Sequence, residues 1–116
     1  MTRFRTLQMS LDLIGDVKDL VTVIRRRSTD LARQLERASS SVALNIAEAN
    51  RREGKDRSQR FRIAAGEAAE VRTALQVAQA WGYVKSSDVT DAFERIDGLL
   101  GMLWVLSHGR KKNPSP

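Results

Sequence analysis

No proline occurs in the first 113 positions; the chain holds its only two, Pro114 and Pro116, at its very end. A proline inside a helix removes a backbone hydrogen bond and clashes with the preceding turn, so its absence leaves long helices uninterrupted. Apolar residues recur at threes and fours throughout, and strand-like alternation is missing. The chain is therefore constrained to long amphipathic helices separated by short breaks.

Four such stretches follow in order. The first runs from about Thr2 to Arg26, with Phe4, Leu7, Leu11, Ile14, Val17, Val21 and Ile24 as its apolar stripe. Its other side carries Asp12, Asp16 and Asp19, read as a solvated face in preference to an acidic dock. Arg25, Arg26 and Arg27 close it, where cations favour the negative end of the helix dipole. Ser28, Thr29 and Asp30 supply a turn and an N-cap. The second helix extends from about Asp30 to Arg52 on Leu31, Leu35, Ala38, Val42, Ile46 and Ala49. Gly54 and Lys55 form a break, with Asp56 or Ser58 expected to cap the third helix. That helix reaches about Trp81 through Phe61, Ala64, Ala65, Ala68, Val71, Leu75 and Ala78, and Gly82 stops it. After Ser86, Ser87 and Asp88 as a further N-cap, the fourth carries Val89, Ala92, Phe93, Ile96, Leu99, Leu100, Leu103 and Leu106 to about His108. Gly109 ends it. Four helices joined by short turns imply an all-α, antiparallel up-down-up-down four-helix bundle over 1–108, with 109–116 as a basic tail.

At 116 residues this is one domain with a single core. The absence of cysteine excludes a disulfide framework and a thiolate metal site, and suits a reducing compartment. Met1 to Ser10 has no apolar segment with a small-residue cleavage site, and no apolar run is long enough to span a bilayer. The expectation is a cytoplasmic protein with no membrane partner. The net charge of +6 biases its surface toward anions.

The stretch from Ala38 to Ala49 places Ser39, Ser40, Ser41, Asn45 and Glu48 among small apolar residues of the second helix. Asn45 and Glu48 are three apart and share a face. With Ser41 and Glu70 they read as a structural polar network that fixes helix register, or as the start of an inter-subunit salt bridge to Arg51 or Arg72, in preference to a carboxylate site.

Several segments resemble the 23S rRNA intervening-sequence protein family, also called the four-helix bundle protein family. The likeness lies in Ser39-Ser40-Ser41-Val42, Asn45-Ile46-Ala47-Glu48 and Arg51, then Phe61, Ala64-x-Gly66-x-Ala68-x-Glu70, and Trp81-Gly82-Tyr83-Val84. Ala49 stands where the family usually has glycine, and Glu67 where it usually has serine. The resemblance implies an up-down four-helix bundle, often a homopentamer, with no established enzymatic activity. It also implies kinship with proteins encoded inside intervening sequences of ribosomal RNA genes. More distantly, the chain is similar to the accessory proteins of diversity-generating retroelements, which look like nucleic-acid and reverse-transcriptase adapters.

Catalytic chemistry finds little support in the residues. A di-iron bundle needs Glu-x-x-His on two helices, and the single histidine, His108, lies at a helix end. The serine run lacks a glycine-elbow turn, and Gly54 and Gly66 stand alone, not in a phosphate loop. No metal and no cofactor is expected.

Placed on the bundle, the basic residues are more informative. Up-down topology brings the start of the first helix, the second turn and the C-terminus to one end. That end gathers Arg3, Arg5, Arg51, Arg52, Lys55, Arg57, Arg60, Arg62, Arg110, Lys111 and Lys112, with only Glu53 and Asp56 nearby. The leading expectation is sequence-tolerant binding of RNA or DNA through this pole, and the bland alternative is a solubilising surface. Phe4 and Phe61, the only aromatics near it, read as core, which argues against base stacking. The second half of the third helix is apolar on several sides, so Val77, Trp81 and, on the fourth helix, Trp104 are candidates for a homo-oligomer interface. The competing reading has both tryptophans completing the core. A scaffold for another protein is the alternative function.

Overall fold

A computed structural model describes residues 2–108, and side chains from Arg3 onward. Its elements are α1 (Thr2–Arg25), α2 (Thr29–Asn50), α3 (Gly54–Ala80) and α4 (Ser86–His108). Each helix packs on its chain neighbours and α1 closes the ring against α4, giving an antiparallel four-helix bundle about 55 Å long and 20 Å across. The expected fold class holds. The expected tail, with Gly109, Arg110, Lys111 and Lys112, lies outside the described residues.

Local chemistry explains the turns. Ser28 is extended and its hydroxyl accepts from the Leu31 N–H at 3.1 Å, capping α2. At the end of α3, Gly82 adopts φ 78°, its N–H donates to Gln79 O, and the Tyr83 N–H donates to Ala78 O. This paired bonding around a left-handed glycine is the Schellman stop. The Asp88 carboxylate accepts from the Lys85 N–H at 2.9 Å and secures the start of α4. The second turn departs from expectation. Neither Asp56 nor Ser58 caps α3; the helix begins at Gly54, whose φ of 60° reverses the chain within one residue. Glu53 occupies the cap position without a side-chain cap bond.

The core runs the length of the rod through Leu13, Val17 and Ile24 of α1, Leu35, Val42 and Ile46 of α2, Phe61 and Leu75 of α3, and Ile96, Leu99 and Leu103 of α4. The stripes of α2, α3 and α4 lie where their spacing puts them. The start of α1 is rotated from its expected stripe. Phe4 and Leu11 are exposed, whereas Thr6, Ser10, Leu13 and Leu20 face inward. The inward hydroxyls are tolerated because a buried hydroxyl needs only one good partner: Ser10 donates to Leu7 O at 2.6 Å, and Thr6 is also partnered.

An arginine–carboxylate pair crosses every seam between adjacent helices. Arg25 meets Glu36 at 3.3 Å between α1 and α2, and Arg37 bridges Glu67 and Glu70 between α2 and α3. Arg72 grips Asp97 with two bonds between α3 and α4, and Arg95 meets Asp16 at 2.6 Å between α4 and α1. Asp12 also reaches Arg95, at 3.7 Å. Two of the three aspartates read as a solvated face are therefore inter-helix partners. Hydrogen bonding to Arg72 lowers the Asp97 carboxyl below its ordinary value.

Candidate nucleic-acid interface

Helix polarity brings the N-termini of α1 and α3 and the C-termini of α2 and α4 to one end of the rod. Arg3, Arg5, Arg51, Arg52, Lys55, Arg57, Arg60 and Arg62 belong to this end, with Glu48, Glu53 and Asp56 as the carboxylates among them. Its arginines and lysine are not equivalent. Arg52 is spent on structure: it bonds the Glu48 carboxylate through Nε at 2.9 Å and Asp56 through Nη1 at 2.6 Å, tying α2 to α3 across the turn. Bonding to Arg52, with Arg51 and Arg60 close by, holds the Glu48 carboxyl below its ordinary value.

The other cations keep more of their charge. Arg51 stands 3.8 Å from Glu48. Arg57 donates from Nε to the Arg52 carbonyl at 2.8 Å, and Arg62 reaches the Ser107 carbonyl at 3.4 Å. Both partners are neutral backbone oxygens, so the guanidinium charge is oriented without being cancelled. Arg3, Arg5, Lys55 and Arg60 form no ion pair among the described residues. The uncapped first turn of α3 adds the positive end of a 27-residue helix.

Three of these cations, Arg3, Lys55 and Arg57, line a cleft of about 680 Å³ together with Gly54, Ser58, Phe61, Val105 and Leu106. Among the described residues no carboxylate lines it. Phe61 is fully buried beneath it, whereas Val105 is 54% exposed. Across the first turns of α3, a second hollow is lined by Lys55, Asp56, Ser58, Gln59, Arg62 and Ser107.

The expected polar network resolves into three separate contacts. Asn45 Nδ2 donates to the Ser41 carbonyl and hydroxyl at 2.9 and 3.0 Å within α2. Glu48 belongs to the turn with Arg52, and Glu70 pairs with Arg37 along the α2–α3 seam. Within the chain, Arg51 lies 3.8 Å from Glu48 and Arg72 pairs with Asp97. Among the described residues no three His, Cys, Asp or Glu side chains are placed to hold a metal ion, and no helix is long and apolar enough to cross a membrane.

Both tryptophans lie outside the core of the single chain. Trp81 is 68% exposed beside half-exposed Val77 and stacks on Tyr83, which also receives the Arg27 guanidinium at 5.1 Å. Trp104 is 61% exposed and stacks on His108 with ring centres 4.4 Å apart. Sequence reasoning passed over Leu44, 69% exposed, and Val105. Their signal was available, since each falls off the apolar stripe of its helix. Arg37 could not be found that way, because its partners depend on the register between α2 and α3.

The sequence profile of the 23S rRNA-intervening sequence protein family matches residues 2–105. The chain belongs to that family. No curated protein sequence matches it. Among solved structures it is similar to a protein of unknown function from the S23 ribosomal protein family of Bacteroides thetaiotaomicron. The two are 18% identical, with a TM-score of 0.84 over 92% of this chain and 98% of the other. At that identity the likeness concerns the fold. The family and its solved relative bring no described catalysis.

Proposed function

We propose that this member of the 23S rRNA-intervening sequence protein family is a non-enzymatic, oligomeric binding module of the cytoplasm that holds RNA or DNA by its phosphates at the basic pole. The observation that supports it most is the contrast in charge pairing. Along the seams, arginines face carboxylates across the helices, whereas at the pole Arg3, Lys55 and Arg57 line a cleft that has no carboxylate in its lining among the described residues. Neutralising phosphates releases counterions, so such binding weakens steeply with salt. The cleft lining offers no open aromatic face, since Phe61 is buried beneath it and Phe4, though exposed at the same end against expectation, does not line it. Contact through backbone charge suits sequence tolerance.

The test is fluorescence anisotropy of nuclease-treated protein on structured RNA and duplex DNA across a salt series. Replacing Arg3, Lys55 and Arg60 together with glutamine should weaken binding and flatten the slope of log K against log salt, by up to about 0.9 for each phosphate that is no longer neutralised. Unchanged affinity and slope would remove the pole from the mechanism.

A homo-oligomer, pentameric as the family resemblance implies, is favoured by the exposure of Val77, Trp81, Trp104 and Leu44 on a chain with a complete core of its own. Light scattering of Trp81→Glu and Trp104→Glu tests it: a fall in mass is expected, and an unchanged mass would move the interface elsewhere. The same surfaces favour a protein scaffold as the second reading, which capture of one defined protein after nuclease treatment would support.

A further inference from the structure

We infer that the cleft at the pole accepts an unpaired nucleotide, with its base against the aliphatic wall and its phosphate on the cationic rim. The pole then prefers single-stranded or looped nucleic acid to duplex. This rests on the nucleic-acid reading and adds to it the form of the strand.

The cleft is two-sided in chemistry. Arg3, Lys55 and Arg57 supply its charge, and Val105 and Leu106 of α4 supply an apolar wall. Val105 leaves half its surface in water, an unfavourable exposure that a flat base face would relieve. A duplex offers phosphates and buries its base faces in the stack, so it engages the rim and leaves the wall wet. An unpaired base can be splayed out and laid on a protein surface. The volume of about 680 Å³ lies within the ordinary range for small-ligand sites. The wall comes from the last turns of α4 and the rim from the first turns of α1 and α3, which makes a short pocket. An amphipathic helix, with a diameter of about 10 Å and several turns to seat, needs a longer groove. Gly54 adds to the opening, because no atom stands within 4 Å of where its Cβ would lie.

The wall is aliphatic, since the Phe61 ring is fully covered. Every base presents it with a similar face, so the strand is held without its sequence being read.

Anisotropy titrations of the full chain at near-physiological salt should use an unstructured RNA strand and the same strand annealed to its complement. The strand should bind several-fold more tightly than the duplex, as the burial of the half-exposed Val105 side chain would give. Val105→Ser keeps charge and helix propensity nearly constant. It should bring strand affinity down to the duplex value, with duplex affinity and Tm unchanged. Equal binding of strand and duplex by the unaltered chain, or a preference that survives Val105→Ser, would overturn the inference while leaving phosphate binding intact. Failure of both nucleic acids to bind would instead overturn the reading on which it rests. Binding of an acidic amphipathic peptide that Val105→Ser abolishes, with no strand preference, would assign the cleft to a protein segment.

Discussion

The waist of the bundle and its basic pole use the same residue types to opposite ends. Along the waist, Arg37, Arg72 and Arg95 each meet carboxylates on the adjacent helix, and Arg72 also lies over the Phe93 ring at 4.7 Å. Bonded there, each arginine holds its proton more firmly than a free one. At the pole Arg52 is used in this way. Of its neighbours, Arg51 stands 3.8 Å from Glu48, Arg57 and Arg62 bond backbone oxygens, and Arg3, Arg5, Lys55 and Arg60 form no ion pair among the described residues, so their fields add at one end of the rod. Pairing, rather than abundance, separates an arginine that holds helices together from one that is available to a ligand.

The largest expected effect breaks the comparison, because core and pole meet at Phe61. This ring is fully buried and also floors the cleft. Phe61→Ala should cost about 3–5 kcal/mol of stability, read by denaturant unfolding. A cost under about 1 kcal/mol would mean that the pole end of the core is loosely packed. Next comes Lys55→Gln with Arg60→Gln, which should lower nucleic-acid affinity about tenfold, or about 1.4 kcal/mol, with Tm unchanged. A large fall in Tm would place these residues with the waist.

Gly54→Ala tests the turn on which the pole is built. Its φ of 60° is strained for any residue with a Cβ, so a loss of about 1 kcal/mol is expected although the space for the methyl is open. No change in unfolding midpoint would show that the turn relaxes. Arg95→Gln is the converse of the pole variants: it should cost about 1 kcal/mol or less and leave affinity unchanged, since a partly exposed ion pair contributes little. Reduced nucleic-acid affinity in that variant would count against the division.

The smallest effect is in acid. Asp97 and Glu48 titrate below their ordinary values of 3.8 and 4.5 in the folded chain. A depressed folded pKa contributes stability that is present above the unfolded value and lost as pH falls through the folded one. Thermal unfolding should therefore hold level on this account down to about the ordinary carboxylate pKa and weaken below it. Asp97→Asn should flatten the decline. An acid limb identical in that variant would remove the Arg72 bond as its source.

How far the sequence reached follows from what each level of structure depends on. The helices were legible because periodicity and turn chemistry are local: Gly82 and Ser28 do what their positions announce. The entry of α3 was misplaced because a left-handed glycine can begin a helix without a side-chain cap. The rotation of α1 escaped because Ser10 satisfies its hydroxyl on the preceding turn and so passes as an inward residue, while Phe4 looks like core and is exposed.

The gathering of cations at one end also followed from the order of the helices, since chain polarity alone decides which termini meet. Pairing was beyond it. Which helix face turns toward which neighbour, and at what register, is settled by side chains interlocking across the bundle. Only that arrangement splits Glu48 from Glu70, gives Arg37 to Glu70, and leaves Lys55 and Val105 facing one cleft. Helix identity is encoded within a few turns of chain, whereas a site between helices exists only when distant turns are held together.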